Sequence, residues 1–163
     1  MNIKRVSFLL WLLPTGLMLC IFFMSSQNGT QSNSISIIIA EKVMKVISPG
    51  YDSLSHSAKL ILLQDVNLLI RKITHFSAYF ILCLIWLMTV GRYIKDIKYN
   101  IGISLLICLL FAISDELHQY YVLGRTSKAT DVLIDFLGAL LMSVVYYIIQ
   151  HKKNKKKVGR GSG

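Results

Sequence analysis

Polar residues at helical spacing stand where the apolar segments of the chain begin or end, and their types suit chemistry on an anionic or sugar-bearing ligand. Lys72, His75 and Tyr79 follow one another at intervals of three and four residues, so one helical face presents all three. Asp115 and Gln119 share a face in the same way. A carboxylate beside a histidine can transfer protons, and a neighbouring cation can bind a phosphate.

A second polar set precedes the last apolar segment. Asp131 and Asp135 are four residues apart, and Gly138 continues their face and permits the close approach of another helix. Arg125 follows Gly124 in a turn, where its guanidinium can bind a phosphate or a carboxylate. Together with the end of the first apolar segment, these residues form the predicted pocket: Ser26, Gln27, Lys72, His75, Tyr79, Asp115, Glu116, Gln119, Arg125, Asp131 and Asp135.

Four uncharged apolar runs must position these residues, at 6–24, 76–90, 101–113 and 136–149. The chain is 54% hydrophobic with a mean hydropathy of +0.56, which excludes a disordered chain, a disulfide framework and an ordinary water-soluble enzyme. We predict an all-α integral membrane protein, with four transmembrane helices in an up-down bundle. Its single domain covers residues 1–151, and the spans cover about 6–24, 73–91, 99–117 and 132–150.

The distribution of charge predicts cytoplasmic N- and C-termini. In that orientation the cytoplasmic segments hold eleven of the cations and one acid, whereas the outer segments hold seven cations and seven acids. The formal charge of +10 therefore follows from membrane orientation and does not indicate nucleic-acid binding. Residues 152–163 form a basic cytoplasmic tail that we expect to contact anionic lipid. Its closing Gly-Arg-Gly-Ser-Gly is typical of an added linker.

The first outer loop is long, from residue 25 to about 72, and predicts one or two interfacial helices over about 34–47 and 52–71, separated by Pro49-Gly50. In an up-down bundle, the end of the first span meets the start of the second, the end of the third and the start of the fourth. The predicted pocket residues lie at those four ends. We therefore expect a polar pocket that opens to the outer leaflet, and intramembrane ionisable residues of this kind are functional candidates.

The pattern of these residues resembles the VanZ-like family. The resemblance lies in residues 72–82 (K-x-x-H-F-x-x-Y-F-x-L), in residues 115–138 (D-E-x-x-Q, then G-R, then D-x-x-x-D-x-x-G) and in Ser25-Ser26-Gln27. It implies a small multi-pass protein of the bacterial plasma membrane, linked to resistance to teicoplanin, a lipid-bearing glycopeptide. Two positions depart from the family pattern, since Asp135 stands where Asn is usual and Met142 where Gly is frequent.

Three classes of function stay open. The favoured one is a non-enzymatic envelope factor whose pocket binds a membrane lipid, a lipid-linked envelope precursor or the lipoglycopeptide, and so contributes to resistance. The alternative is a membrane-embedded hydrolase or transferase that acts on a lipid phosphate or lipid-linked glycan from the outer face, with Asp115, Asp131 and His75 as catalytic residues. A carrier of lipid or protons is less favoured, because the cytoplasmic halves of the spans hold only isolated polar residues such as Thr89, Ser104 and Ser143.

The same residues also permit a structural and a metal-binding interpretation. The acids and cations of the pocket could form internal salt bridges that only fix the bundle, although buried pairs are weak evidence of stability. Carboxylates could hold a divalent cation, but no H-E-x-x-H or C-x-x-C motif occurs, so we expect no metal and no cofactor. Cys20, Cys83 and Cys108 lie in apolar spans and are interpreted as small packing residues.

Overall fold

The computed structural model describes residues 3–26, 29–122 and 128–160, with side chains at 10–26, 34, 36–122 and 128–155. Over these residues the chain is helical and contains no strand, which confirms the all-α prediction. A short 3-10 helix at Tyr51–Ser53 precedes the longest α-helix. The α-helices are α1 (Ile3–Ser25), α2 (Gly29–Ile47), α3 (His56–Tyr93), α4 (Ile97–Tyr120) and α5 (Ala129–Arg160).

Three helices are long and apolar enough to cross a membrane. They are α3, α4 and the Ala129–Lys155 part of α5. The described apolar part of α1, Leu10–Ser25, is shorter. The structure therefore supports a membrane protein with three candidate spans in the described part of the chain, whereas the fourth predicted span is not shown.

The second interfacial helix, predicted over about 52–71, is not separate from the following span. α3 begins at His56, where Ser55 accepts a hydrogen bond from the backbone amide of Ala58 at 3.3 Å, and runs without interruption to Tyr93. No Gly or Pro stands between residues 56 and 90, so nothing in the sequence breaks the helix. Its 38 residues are about 57 Å long at 1.5 Å per residue, roughly twice the hydrocarbon thickness of a bilayer.

Two other predicted segments are also longer helices than expected. The helix expected over about 34–47 is present as α2, which begins earlier, at Gly29. The first nine residues of the predicted tail, 152–160, continue α5. Between α3 and α4 the chain turns within three residues, and Asp96 caps α4 by accepting hydrogen bonds from the amides of Lys98 and Tyr99.

α3 is the central helix, because it packs against each of the other four α-helices. Its closest approach is to α5, where a Cβ added at Gly138 would overlap the carbonyl oxygen of Phe76. The backbones of α3 and α5 can therefore touch at this level only because residue 138 has no side chain. Tyr79, Leu82 and Leu87 fill the interior from α3.

The side of α4 that faces the protein is polar. Large apolar side chains of α4, such as Leu106, Leu110 and Leu117, are more than half exposed. This arrangement suits a helix in lipid, where apolar residues face outward and polar residues hydrogen-bond between helices. Every described buried residue of α4 is polar, ionisable or small: Asn100, Ser104, Cys108, Ala112, Asp115, Glu116 and Gln119.

Candidate functional site

A cavity opens between α3 and the start of α5, at one end of the three candidate spans. Its volume is about 130 Å³, and its wall combines charged, polar and apolar side chains. Four predicted pocket residues line it, namely Lys72, His75, Gln119 and Asp131. Lys128, which sequence reasoning considered only as a salt-bridge partner of the acids, is also in the wall, and sequence reasoning missed four further residues: Leu68, Arg71, Thr130 and Ile134.

The continuity of α3 explains the α3 wall of the cavity. Leu68, Lys72 and His75 recur at intervals of four and three residues, which places them on one face of the helix, with Arg71 beside them. On the α5 side, Lys128 precedes the helix and Thr130 and Asp131 belong to its first turn. The hydroxyl of Thr130 lies 3.5 Å from a carboxylate oxygen of Asp131.

Two residues of the cavity wall are connected to buried acids. Nδ1 of His75 lies 3.5 Å from Oδ1 of Asp135, and the Gln119 amide donates a hydrogen bond of 3.0 Å to Oδ2 of Asp115. Asp115 and Asp135 are only 1% and 2% exposed. The two acids therefore do not line the cavity themselves and reach it through His75 and Gln119.

Glu116 has a positioning role. Its Oε1 accepts a hydrogen bond of 2.6 Å from the backbone amide of Lys128, twelve residues later. This bond ties the end of α4 to the residue just before α5, and so sets the position of Lys128 on the cavity wall. As expected from the helical geometry, Glu116 points to a different neighbour from Asp115.

Tyr79 lies one helical turn deeper than His75. Its side chain is fully buried, its ring lies 5.9 Å from that of Phe111, and its hydroxyl has no hydrogen-bond partner among the described residues. It is not part of the cavity wall. Tyr79 therefore lies on the same helical face as Lys72 and His75, but only Lys72 and His75 line the cavity.

Ser26 lies at the α1–α4 contact and not in the cavity wall. Its hydroxyl is 3.0 Å from Nε2 of His118, and the ring of Phe22 stacks on the same imidazole at 4.2 Å between centroids. These contacts hold the end of α1 against α4. Two more predicted pocket residues, Gln27 and Arg125, lie outside the described residues.

A second polar cluster lies at the opposite end of the same three helices. The Asn100 amide donates to the carbonyl oxygen of Leu87 at 3.1 Å and lies 3.4 Å from the Tyr146 hydroxyl, while Ser104 donates to the Asn100 side-chain oxygen at 3.3 Å. Sequence analysis had treated Ser104 as isolated. The spacing of four between Asn100 and Ser104 was the available signal, but the contact with Tyr146 joins residues 46 apart.

Among the described residues, no group of three or more His, Cys, Asp and Glu side chains is arranged to hold a metal ion. The cavity wall instead carries a surplus of positive charge. Arg71, Lys72 and Lys128 are cationic, whereas Asp131 is its only carboxylate among the residues described. The side chains of Lys72 and Lys128 are exposed and form no salt bridge with another described residue.

The sequence profile of VanZ/LLP1 matches residues 9–150, which include α3, α4, most of the third candidate span and all the residues that line the cavity. The chain belongs to the VanZ/LLP1 family. Membership confirms the resemblance seen in the motifs around His75 and Asp115. No curated protein and no solved structure matches this chain.

Proposed function

We propose that this VanZ/LLP1 protein contributes to teicoplanin-type glycopeptide resistance by binding a lipid-linked envelope component, or the lipidated drug, in its outer cavity. The observation that carries the proposal is the composition of the cavity wall. Charged side chains, including Lys72 and Asp131, stand beside the apolar side chains of Leu68 and Ile134 at the end of membrane-spanning helices. A ligand with a polar head and an apolar chain suits both parts of that wall.

The proposal includes a four-span topology in the bacterial plasma membrane, with both termini cytoplasmic. α1 supports it as the fourth span, because its 23 residues are about 34 Å long and Leu13, Leu19 and Phe23 are mostly exposed apolar side chains. α1 also packs against α3, where the Trp11 ring nitrogen donates to the Tyr93 hydroxyl at 3.2 Å. The basic residues after 151 then lie on the cytoplasmic side, where they can contact anionic lipid.

The contacts of Lys72 and Lys128 argue against a role only in a scaffold of salt bridges. The two lysines reach no carboxylate within salt-bridge distance among the described residues. His75 of α3 contacts Asp135 of α5 at 3.5 Å. Exposed cations at the edge of a cavity are better suited to a ligand than to fixing the bundle.

One observation favours the enzymatic alternative. The contact between His75 and Asp135 places an imidazole, oriented by a buried carboxylate, in the wall of a cationic cavity. In a hydrolase or transferase acting on a lipid phosphate, His75 would transfer a proton at the reacting oxygen and Lys72 would stabilise the developing charge. Asp131 is the carboxylate of the cavity wall and the candidate for base or nucleophile, and Asp115 would hold Gln119 in position.

The resistance experiment uses a teicoplanin-susceptible Gram-positive host that expresses the full chain. We compare wild type with Lys72→Gln and Asp131→Asn, and use Asp52→Asn as the matched control because Asp52 is exposed in the 3-10 helix, away from the cavity. We expect the two cavity variants to lose protection at unchanged membrane abundance, and the control to keep it. Equal protection by all variants would contradict the proposal.

A turnover assay separates binding from catalysis. Purified full-length protein is incubated with a polyprenyl phosphate and with a polyprenyl diphosphate, and released phosphate and the lipid products are measured. Binding without conversion supports the envelope factor. Conversion that is lost in His75→Gln, while the protein keeps its thermal stability, supports the enzyme.

A further inference from the structure

We infer that the ligand of the cavity carries a phosphomonoester or diphosphate group on an apolar chain, and that Lys72 and Lys128 bind this group from two sides. The inference rests on the proposed function, since it takes the cavity as the binding site, and it names the class of ligand. It separates lipid phosphates with about two negative charges from phosphodiester lipids, zwitterionic lipids and uncharged chains.

The positive charge of the cavity wall favours a ligand group with about two negative charges. Lys72 and Lys128 are exposed on the cavity wall and form no salt bridge with another described residue, so two cationic side chains can face a ligand there. A phosphomonoester carries a charge of about −1.5 to −2 at neutral pH, which matches these two lysines. A phosphodiester carries a single negative charge, and a phosphocholine headgroup carries no net charge, so both match the wall less well.

The two lysines of the cavity wall come from different segments of the chain. Lys72 comes from α3 and Lys128 from the segment before α5, so the positive charge bounds the cavity on two sides. The backbone of Lys128 is held in place by Glu116 at 2.6 Å. The Gln119 amide adds a second N–H hydrogen to the same wall, beside the one it donates to Asp115. A site of this kind offers a phosphate several donors from different directions.

The depth of the site points to a lipid. Lys72 and Arg92 are twenty residues apart on the uninterrupted helix α3, which corresponds to about 30 Å and equals the hydrocarbon thickness of a bilayer. When Arg92 lies at one interface, Lys72 lies at the other, at the level of lipid headgroups. Leu68 and Ile134 line the cavity, and neighbouring Ile73 is 55% exposed, so an apolar chain can leave the site along the lipid-facing surface.

The test measures which lipid stays bound to the full chain. The protein is reconstituted in phosphatidylcholine vesicles that contain equal fractions of phosphatidic acid, a monoester, and phosphatidylglycerol, a diester, and bound lipid is identified by native mass spectrometry. Lys72→Gln and Lys128→Gln remove one cavity cation each. Lys42→Gln is the matched control, because Lys42 is exposed on α2 and does not line the cavity.

We expect wild type and the control to retain the monoester in preference to the diester. Each cavity variant should retain about tenfold less monoester, as for the loss of one charge-assisted contact. Lys72→Arg should restore binding, which distinguishes a lost charge from a damaged fold. Equal retention of the two lipids, or equal loss in the Lys42→Gln control, would overturn the inference.

Three further outcomes distinguish a lipid phosphate from free phosphate, and distinguish failure of this inference from failure of the proposed function. If inorganic phosphate at millimolar concentration displaces the lipid completely, the site recognises the anion alone and the lipid part of the inference is overturned. If no selective retention is seen while protection from the drug still depends on Asp131, the inference fails and the proposed function stands. If retention is selective but wild type gives no protection, the inference stands and the resistance role fails.

Discussion

The two ends of the α3–α4–α5 interface are both polar, yet they differ in how their polar groups are used. At the Asn100 end, uncharged side chains hydrogen-bond with one another and with the carbonyl of Leu87. At the Lys72 end, charged side chains surround a cavity of about 130 Å³. Polar residues that satisfy each other stabilise helix packing, whereas charges that face an opening are available to a ligand.

The contact geometry makes the same distinction at the level of single residues. Asn100 is 2% exposed, and a Cβ added at Gly91 would lie 2.8 Å from its amide nitrogen, so the Asn100 end is tightly packed. Lys72 and Lys128 are exposed at the other end. We therefore expect substitutions at the Asn100 end to lower stability and to leave binding intact. Substitutions on the cavity wall should weaken binding and leave stability unchanged.

The largest effect is expected at Gly138, where α3 and α5 approach each other most closely. Gly138→Ala places a methyl group against the backbone carbonyl of Phe76, which cannot rotate away. We expect a loss of about 2 to 3 kcal/mol in unfolding free energy, together with loss of lipid retention and of protection. Thermal unfolding of the purified protein in detergent measures the change.

Gly102→Ala is the matched control for that variant, because a Cβ added at Gly102 meets no atom within 4 Å. This control should leave stability unchanged or raise it slightly, as alanine favours a helix over glycine. A Gly138→Ala protein as stable as the control would show that the α3–α5 contact has more freedom than the structure indicates.

The next largest effect is expected at Asn100. Asn100→Leu removes three hydrogen-bonding contacts of the packed end and leaves the hydroxyls of Ser104 and Tyr146 to find other partners. We expect a loss of about 1 to 2 kcal/mol in unfolding free energy, with selective retention of phosphatidic acid preserved in the protein that stays folded. A variant of wild-type stability that no longer retains the lipid would reverse the roles assigned to the two ends.

A smaller change in stability is expected at Asp135, but it sharpens the distinction between binding and catalysis. Asp135→Asn keeps the shape of the side chain and removes its charge from beside His75. We expect a change of about 1 kcal/mol or less in unfolding free energy, and unchanged protection if the protein only binds its ligand. Loss of protection or of lipid turnover at normal abundance would favour the enzyme.

The smallest effect is expected at Tyr146. Tyr146→Phe removes only the 3.4 Å contact with the Asn100 amide and keeps the aromatic ring in place. We expect a loss of about 0.5 kcal/mol, the usual scale of a single hydrogen bond between helices in a membrane protein. A loss several times larger than this would show that Tyr146 holds the packed end together, and that Asn100 is not its central residue.

Much of the fold could be predicted from the sequence because the apolar runs are long and the helical spacing is regular. Uncharged segments predicted the positions of α4 and α5, and the motifs around His75 and Asp115 identified the family. The spacing of Lys72 and His75 placed both on one face, and the structure puts them in one cavity wall. Local spacing is sufficient for such statements, since a helix repeats every 3.6 residues.

Contacts between distant parts of the chain could not be predicted in this way. Arg71 seemed to belong to a separate interfacial helix, and it joined the cavity only because α3 continues through that segment. Asn100 stands in the first turn of α4, and its role depends on Tyr146 from α5. Burial also decided the outcome for Tyr79, whose depth below His75 removes it from the cavity wall.

The sequence by itself determined that this protein is helical, that its hydrophobic segments are long enough for a membrane, and which family it belongs to. Each of these properties depends on residue type and spacing along one helix. The tertiary structure alone decided which charged residues face a common cavity and which polar residues satisfy each other at the opposite end. That division depends on how α3, α4 and α5 are packed, because a side chain is available to a ligand only where no neighbouring helix fills the space in front of it.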